Sequence, residues 1–152
     1  MKFPKNFLWG GASADSQYEG GFGEGGRGIV TNDFVTNGSH TSPRQVTWKM
    51  PDGTAGSSDY KTAIPVGARG YFKEDAYYPS HRAVDFYHRW REDLALVSEM
   101  NFNVYRFSIC WTRIFPTGME EEPNEEGLRF YEEIIDTLVS YWIEPLVTIC
   151  HD

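Results

Sequence analysis

The second half of this chain alternates between two hydrophobic periods, and that alternation limits the folds open to it. Ser80 can cap a helix that runs to about Met100, with Ala83, Phe86, Tyr87, Trp90, Leu94 and Val97 recurring every three or four residues. Asn101 can supply the left-handed stop. Residues 103–110 then read as a strand, because the helical period gives way to alternating apolar and polar side chains. Pro123 and Asn124 open a second helix, with Glu125 and Glu126 in its first turn, where the helix dipole favours negative charge. Leu128, Tyr131, Ile135, Leu138 and Trp142 form its expected buried stripe. Residues 145–150 are nearly all apolar, as a strand covered on both faces should be. Ahead of all this, residues 7–12 read as a short strand ending in glycines.

The order strand, loop, helix, strand, helix, strand predicts an α/β fold: a βαβαβ chain with right-handed crossovers and a parallel sheet. An open doubly wound sheet and the opening of a (β/α)8 barrel both fit. In either, chemistry lies beyond the carboxyl ends of the strands, which draws attention to residues 13–19, 110–113 and 151–152. Residues 20–78 are rich in Gly, Ser, Thr, Asn and Pro without a sustained period, so they read as one long irregular loop.

Charge and composition exclude several functions. With 14 basic and 22 acidic residues the net charge is −8, which opposes binding to nucleic acid. Apolar runs long enough to span a bilayer are missing. Cys110 and Cys150 each sit in an apolar run and read as buried reduced thiols, not a disulfide framework. Phe7, Leu8 and Trp9 before Ala12-Ser13-Ala14 imitate a signal peptide, but the apolar stretch is short and broken by Gly10 and Gly11. The expected location is therefore cytoplasmic, with Asn37-Gly38-Ser39 an unused sequon.

Most motif-like features have a plain structural explanation. Residues 21–26 match the dinucleotide pattern G-x-G-x-x-G, but no helix pattern follows to aim amides at phosphate, so they read as a flexible turn. Glu120, Glu121 and Glu122 read as a solvated run before a helix, not a metal cluster. Neither metal nor cofactor is expected. Arg106 stands in mid-strand, where a guanidinium is costly without a partner. Alternation places it with Val104, Ser108 and Cys110, opposite Tyr105, Phe107, Ile109 and Trp111. A structural ion pair or an edge position, and an arginine reaching into a barrel toward a catalytic carboxylate, all satisfy that pattern. His151, Gln17 and Glu19 follow strands at the functional edge. Imidazole, amide and aromatic groups gathered at one rim suit a sugar, whose hydroxyls want donors and acceptors together.

At this point the chain resembles glycoside hydrolase family 1. FLWGGASADSQYEG at 7–20 is similar to that family's N-terminal signature, and DFYHRWRED at 85–93 to its first-helix motif. RFSICWTRIFP at 106–116 resembles its second strand and loop; PNEEGL at 123–128 and EPLVTICH at 144–151 complete the series. PRQVT at 43–47 and YPSH at 78–81 resemble the 6-phospho-β-glucosidase branch. Asp152 departs from the usual aromatic residue, and Asn101 and Trp142 from glycine.

The resemblance implies that residues 1–152 are the N-terminal fragment of one (β/α)8 barrel domain, ending after the third strand, with a long β1–α1 loop at 20–79. It implies a parent hydrolase acting on 6-phospho-β-glucosides. Gln17 and His151 would bind the sugar and Arg106 would support the nucleophile. The two catalytic carboxylates would follow strands four and seven, so none lies in this chain. The fragment alone would then be inactive. It would associate with itself or with a polypeptide carrying the rest of the barrel, or survive only as a sugar-binding fragment without catalysis.

Overall fold

The structure is a computed structural model that describes residues 2–151. In chain order its elements are β1 (Gly10–Ala12), α1 (Asp15–Tyr18), β2 (Gln45–Lys49), β3 (Ala55–Asp59), β4 (Arg69–Gly70), α2 (Phe86–Glu99), β5 (Val104–Ser108), α3 (Trp111–Ile114), α4 (Glu125–Ser140) and β6 (Glu144–Thr148). Short 3-10 turns occupy Thr31–Phe34 and Pro79–His81.

β1, β5 and β6 form a parallel sheet in the order β1-β5-β6. Arg106 lies between Ala12 and Leu146 in the ladder. One face of this sheet is closed by α2 and α4. Tyr105 and Phe107 point into that face, against Phe86, Trp90 and Leu94 of α2 and Phe130, Tyr131, Ile134 and Leu138 of α4. The period of α2 matches this packing. The opposite sheet face carries Val104, Arg106 and Ser108 beside Leu146 and Thr148. Ser108 is covered there, while Leu146 is 56% exposed. Among the described residues β1 and β6 each pair with one strand only.

Several expectations need correction. The first strand shrinks to Gly10–Ala12. Phe7 and Trp9 instead join Phe3 in an aromatic cluster with ring centroids 4.6–4.7 Å apart. Helix α2 starts at Phe86, not at Ser80, because Ala83 (φ 50°) and Asp85 (φ 66°) are left-handed. The Ser80 hydroxyl donates to the Asn32 carbonyl at 3.2 Å, and the Glu19 carbonyl accepts from the Tyr87 amide at 2.8 Å. In α4 the buried stripe runs through Phe130 and Ile134, whereas Leu128 is exposed and Trp142 is 91% exposed. Alternation fails after Ser108, where the chain turns into α3 and the Cys110 amide donates to the Tyr131 hydroxyl. Cys110 is buried as expected; Cys150 is exposed. Asn101 (φ 56°) and Trp142 (φ 61°) both take the left-handed conformation expected of helix stops. Asp152 lies outside the described residues.

The long loop is not irregular throughout. β2, β3 and β4 form an antiparallel sheet in the order β3-β2-β4. Trp48 lies across Gly56, where an added Cβ would meet its indole at 2.4 Å, and the Trp48 Nε1–H donates to Ser58 at 2.9 Å. The buried Thr47 hydroxyl meets the Tyr78 hydroxyl at 2.9 Å. The glycine-rich residues 21–26 are turns, with Gly21, Gly23, Gly25 and Gly26 at positive φ and no α-helix following.

Gly127 is set by close approach. A Cβ there would stand 2.1 Å from the Arg113 carbonyl oxygen. Gly127→Ala gains about 1 kcal/mol of helix propensity but forces α4 off α3, at a cost of ~1–3 kcal/mol from overpacking. We expect its urea midpoint to fall relative to the parent chain; a rise would mean that α3 and α4 do not pack this closely.

Candidate functional site at the carboxyl rim of the sheet

The rim is assembled around two buried ion pairs. Glu19 follows α1, and Arg113 ends the turn after β5. The Arg113 Nε–H donates to Glu19 Oε1 at 2.7 Å, with both side chains nearly inaccessible. The Tyr131 hydroxyl donates to Glu19 Oε2 at 2.6 Å. The remaining Arg113 donors reach the Gly20 and Glu24 carbonyls at 3.2 and 3.3 Å, and its guanidinium lies 4.2 Å from the Tyr87 ring centre. Burial pushes the Glu19 carboxyl above its ordinary range, while Arg113 and the Tyr131 hydroxyl pull it back. Burial likewise pushes the Tyr131 hydroxyl well up.

The second pair anchors the long excursion. Arg27 donates to both Asp33 carboxylate oxygens, at 2.9 and 3.1 Å. Asp33 also accepts from the Val30 amide at 2.9 Å and the Ser80 hydroxyl at 3.3 Å. His81 stacks on Phe22 at 3.8 Å and sits 3.0 Å from the Asp33 carbonyl; burial lowers the pKa of its imidazole.

These anchors orient the short helix α1. The Asp15 amide donates to the Ser108 hydroxyl at 2.8 Å, and that hydroxyl donates back to the Asp15 carboxylate. Asp15 and Tyr18 are therefore buried, and helical spacing leaves Ser16 and Gln17 facing outward. β6 delivers His151 to the same rim. Gln17 and His151 line one cavity of about 450 Å³, together with Asn32, Arg44, Tyr77 and Ser80. His151 and Asn32 also border a second cavity of about 560 Å³, with Asp15, Trp111 and Cys150.

Two of the three residues expected from sequence thus converge. Arg106 does not line either cavity. It stays on the open sheet face, two residues short of the end of β5, and its Nε–H donates to the Thr148 hydroxyl at 2.9 Å. Among the described residues no carboxylate forms an ion pair with it. Glu19, expected at the rim, is used internally. Arg44, Asn32 and Tyr77 were not foreseen as rim residues. They come from the aperiodic stretch, where only the Pro43-Arg44 resemblance offered a signal. No helix among the described residues is long and apolar enough to cross a membrane.

Comparisons with known proteins bear on the family and the fold. A family model described as Glycosyl hydrolase family 1 matches residues 1–62 and 69–152. The 6-phospho-beta-glucosidase AscB of Escherichia coli (strain K12) is 43% identical over 98% of this chain, which spans 28% of that protein. The aryl-phospho-beta-D-glucosidase BglA of Bacillus subtilis (strain 168) is 43% identical over 97% of this chain and 26% of its own length. The family 1 β-glucosidase of Thermotoga maritima superposes with a TM-score of 0.68 at 32% identity, over 99% of this chain and 27% of that one. The chain therefore spans about a quarter of the length of the relatives it matches.

The Glu19–Arg113 pair gives a direct test. Glu19→Gln leaves a buried guanidinium without its counter-charge, and we expect a loss of ~3–5 kcal/mol in urea unfolding. Replacing both partners by apolar residues should cost less than Glu19→Gln alone. Glu121→Gln, on the exposed run, should stay within about 0.5 kcal/mol. Equal effects at Glu19 and Glu121 would contradict the role given to the pair.

Proposed function

Because this chain belongs to glycosyl hydrolase family 1, we propose that its residues form the first three strands of an eight-stranded barrel whose whole hydrolyses 6-phospho-β-glucosides in the cytoplasm. The observation that carries this reading is the convergence of Gln17 and His151 on one rim cavity. The substrate class is supported by 43% identity to a 6-phospho-beta-glucosidase over 98% of the chain. The open edges of β1 and β6 and the uncovered Leu146 are what a barrel segment leaves for its neighbouring strands.

In this reading the Gln17 amide, donor and acceptor at once, and the His151 imidazole hold sugar hydroxyls. Retaining hydrolysis needs two carboxylates ~5–5.5 Å apart, one a nucleophile and one an acid and base. Neither role falls to a residue of this chain; both belong to later strands of the barrel. Arg106 faces the inside of that barrel beside the nucleophile and keeps it ionised through its positive charge. It is a positioning residue, held in orientation by Thr148.

The test is a hybrid in which residues 1–152 replace the matching segment of the Escherichia coli relative. It should hydrolyse an aryl 6-phospho-β-glucoside in preference to the plain glucoside, while the 152-residue chain alone turns over neither. Gln17→Ala and His151→Ala should each lower kcat/KM by about 10- to 100-fold. Arg106→Met raises the pKa of the neighbouring carboxylate, which must be ionised to react. The acid limb of the kcat/KM profile should therefore move to higher pH by about one unit or more. A folded hybrid without turnover, or turnover by the isolated chain, would contradict the reading.

A further inference from the structure

We propose that His88 is a proton-operated clasp: its imidazolium holds the glycine turn at residues 21–26 against the start of α2, and loss of the proton releases it. The His88 Nδ1 lies 2.6 Å from Asp85 Oδ1, and its Nε2 lies 3.0 Å from Glu24 Oε2. Both partners are carboxylates, which accept and do not donate when ionised. A neutral imidazole carries one N–H and can satisfy one of them; only the imidazolium donates to both. Asp85 above all, and Glu24 with it, raise the His88 pKa above its ordinary value against a slight opposing effect of burial. His88 in turn holds the Asp85 carboxyl below the usual carboxylate range. Other charges face the clasp without closing it. Arg82 and Arg89 flank Asp85, and Arg89 lies 3.8 Å from both Glu92 and Asp93 along α2. From α4, Glu126 stands beside Gly25 and Tyr87, whose ring meets the imidazole nearly at right angles with centroids 5.1 Å apart.

Each end of the clasp has a second state open to it. Asp85 is the N-cap of α2, the position from which a carboxylate ordinarily accepts an amide of the first helical turn. Here its side chain makes no such bond, and its backbone is left-handed at φ 66°. Without the imidazolium the carboxylate is free to cap the helix, and the backbone is free to leave a conformation that a Cβ disfavours. Glu24 sits between Gly23 and Gly25, both at positive φ, so its turn can rearrange once the side chain is let go. The turn also carries weight. The Glu24 carbonyl accepts from the Arg113 guanidinium at 3.3 Å and from the Arg27 amide at 3.0 Å, so it joins the two buried anchors beneath the rim. The proton on His88 thereby steadies the base on which α1 and Gln17 stand, whatever the rim binds. Because the folded chain raises the His88 pKa, the contribution of the clasp is whole below about pH 6.5, the ordinary imidazole value, and is lost as pH rises through the higher folded value. It ends again in strong acid, where carboxylates lose their charge.

The test follows the His88 ring by NMR through a pH titration of the 152-residue chain, for the parent, Glu24→Gln and Asp85→Asn. In parallel, hydrogen exchange is measured at the Glu24 and Arg27 amides of the parent and of His88→Gln, corrected for intrinsic rates. The His88 and Glu24 side chains are half exposed, so these substitutions leave the core untouched. The His88 midpoint should fall to lower pH in each carboxylate variant. In the parent, protection of the Glu24 and Arg27 amides should drop by about two- to fivefold between about pH 6 and about pH 8, the range expected of exposed charge pairs. In His88→Gln that protection should not change with pH. A His88 midpoint that stays in place in either carboxylate variant overturns the clasp. So does a parent whose protection is flat across this range, or a pH-dependent loss of protection that persists in His88→Gln.

Discussion

A carboxylate and a guanidinium, both shut away from water, fasten the first segment of this chain to the second. Taking Glu19 and Arg113 out of water costs several kcal/mol per ion, and the cost is offset only where geometry and further hydrogen bonds are good. Here they are. Glu19 accepts from Arg113 and from the Tyr131 hydroxyl, so one carboxylate ties the end of α1 to the turn after β5 and to α4. The carbonyls of Gly20 and Glu24 complete the arginine's bonding. With Glu19 fixed, α1 has one orientation, and Gln17 has one direction in which to point.

The Arg27–Asp33 pair extends the same logic into the excursion. It draws in Ser80 and His81 from the far end of that segment, so a stretch of nearly sixty residues returns to within hydrogen-bond reach of its own beginning. Between these anchors the chain has room for its own small sheet, whose first strand follows Arg44. The rim cavity therefore has two kinds of wall. One comes from the ends of the parallel strands and carries His151; the other comes from the excursion and carries Arg44 and Tyr77.

Where burial follows a simple period, the sequence was legible. Phe86, Trp90 and Leu94 recur every four residues and are all buried. Asn101 stands at a left-handed stop, as its place after a helical run suggested, whereas Trp142, expected in the buried stripe, is an exposed left-handed stop instead. The excursion was not legible, because its sheet is held by a Trp48 ring over a glycine and by a buried threonine hydroxyl, neither of which makes a hydrophobic period. The start of α2 was misplaced because Ala83 and Asp85 carry no sequence sign of positive φ. At the site, strand-end position was enough to bring Gln17 and His151 together. Arg106 could be given a face but not a partner, and Arg44 was one arginine in a polar stretch until the fold set it in the cavity wall.

The central claim is that the rim groups of this chain form one side of a sugar site. Its most direct test is heteronuclear NMR of the chain during titration with cellobiose 6-phosphate. The account predicts that the Gln17 side-chain amide and the His151 ring shift together along one binding curve, while the exposed Trp142 indole at the far end of the sheet stays still. Shifts confined to Trp142 and its surroundings, or separate curves for Gln17 and His151, would contradict it.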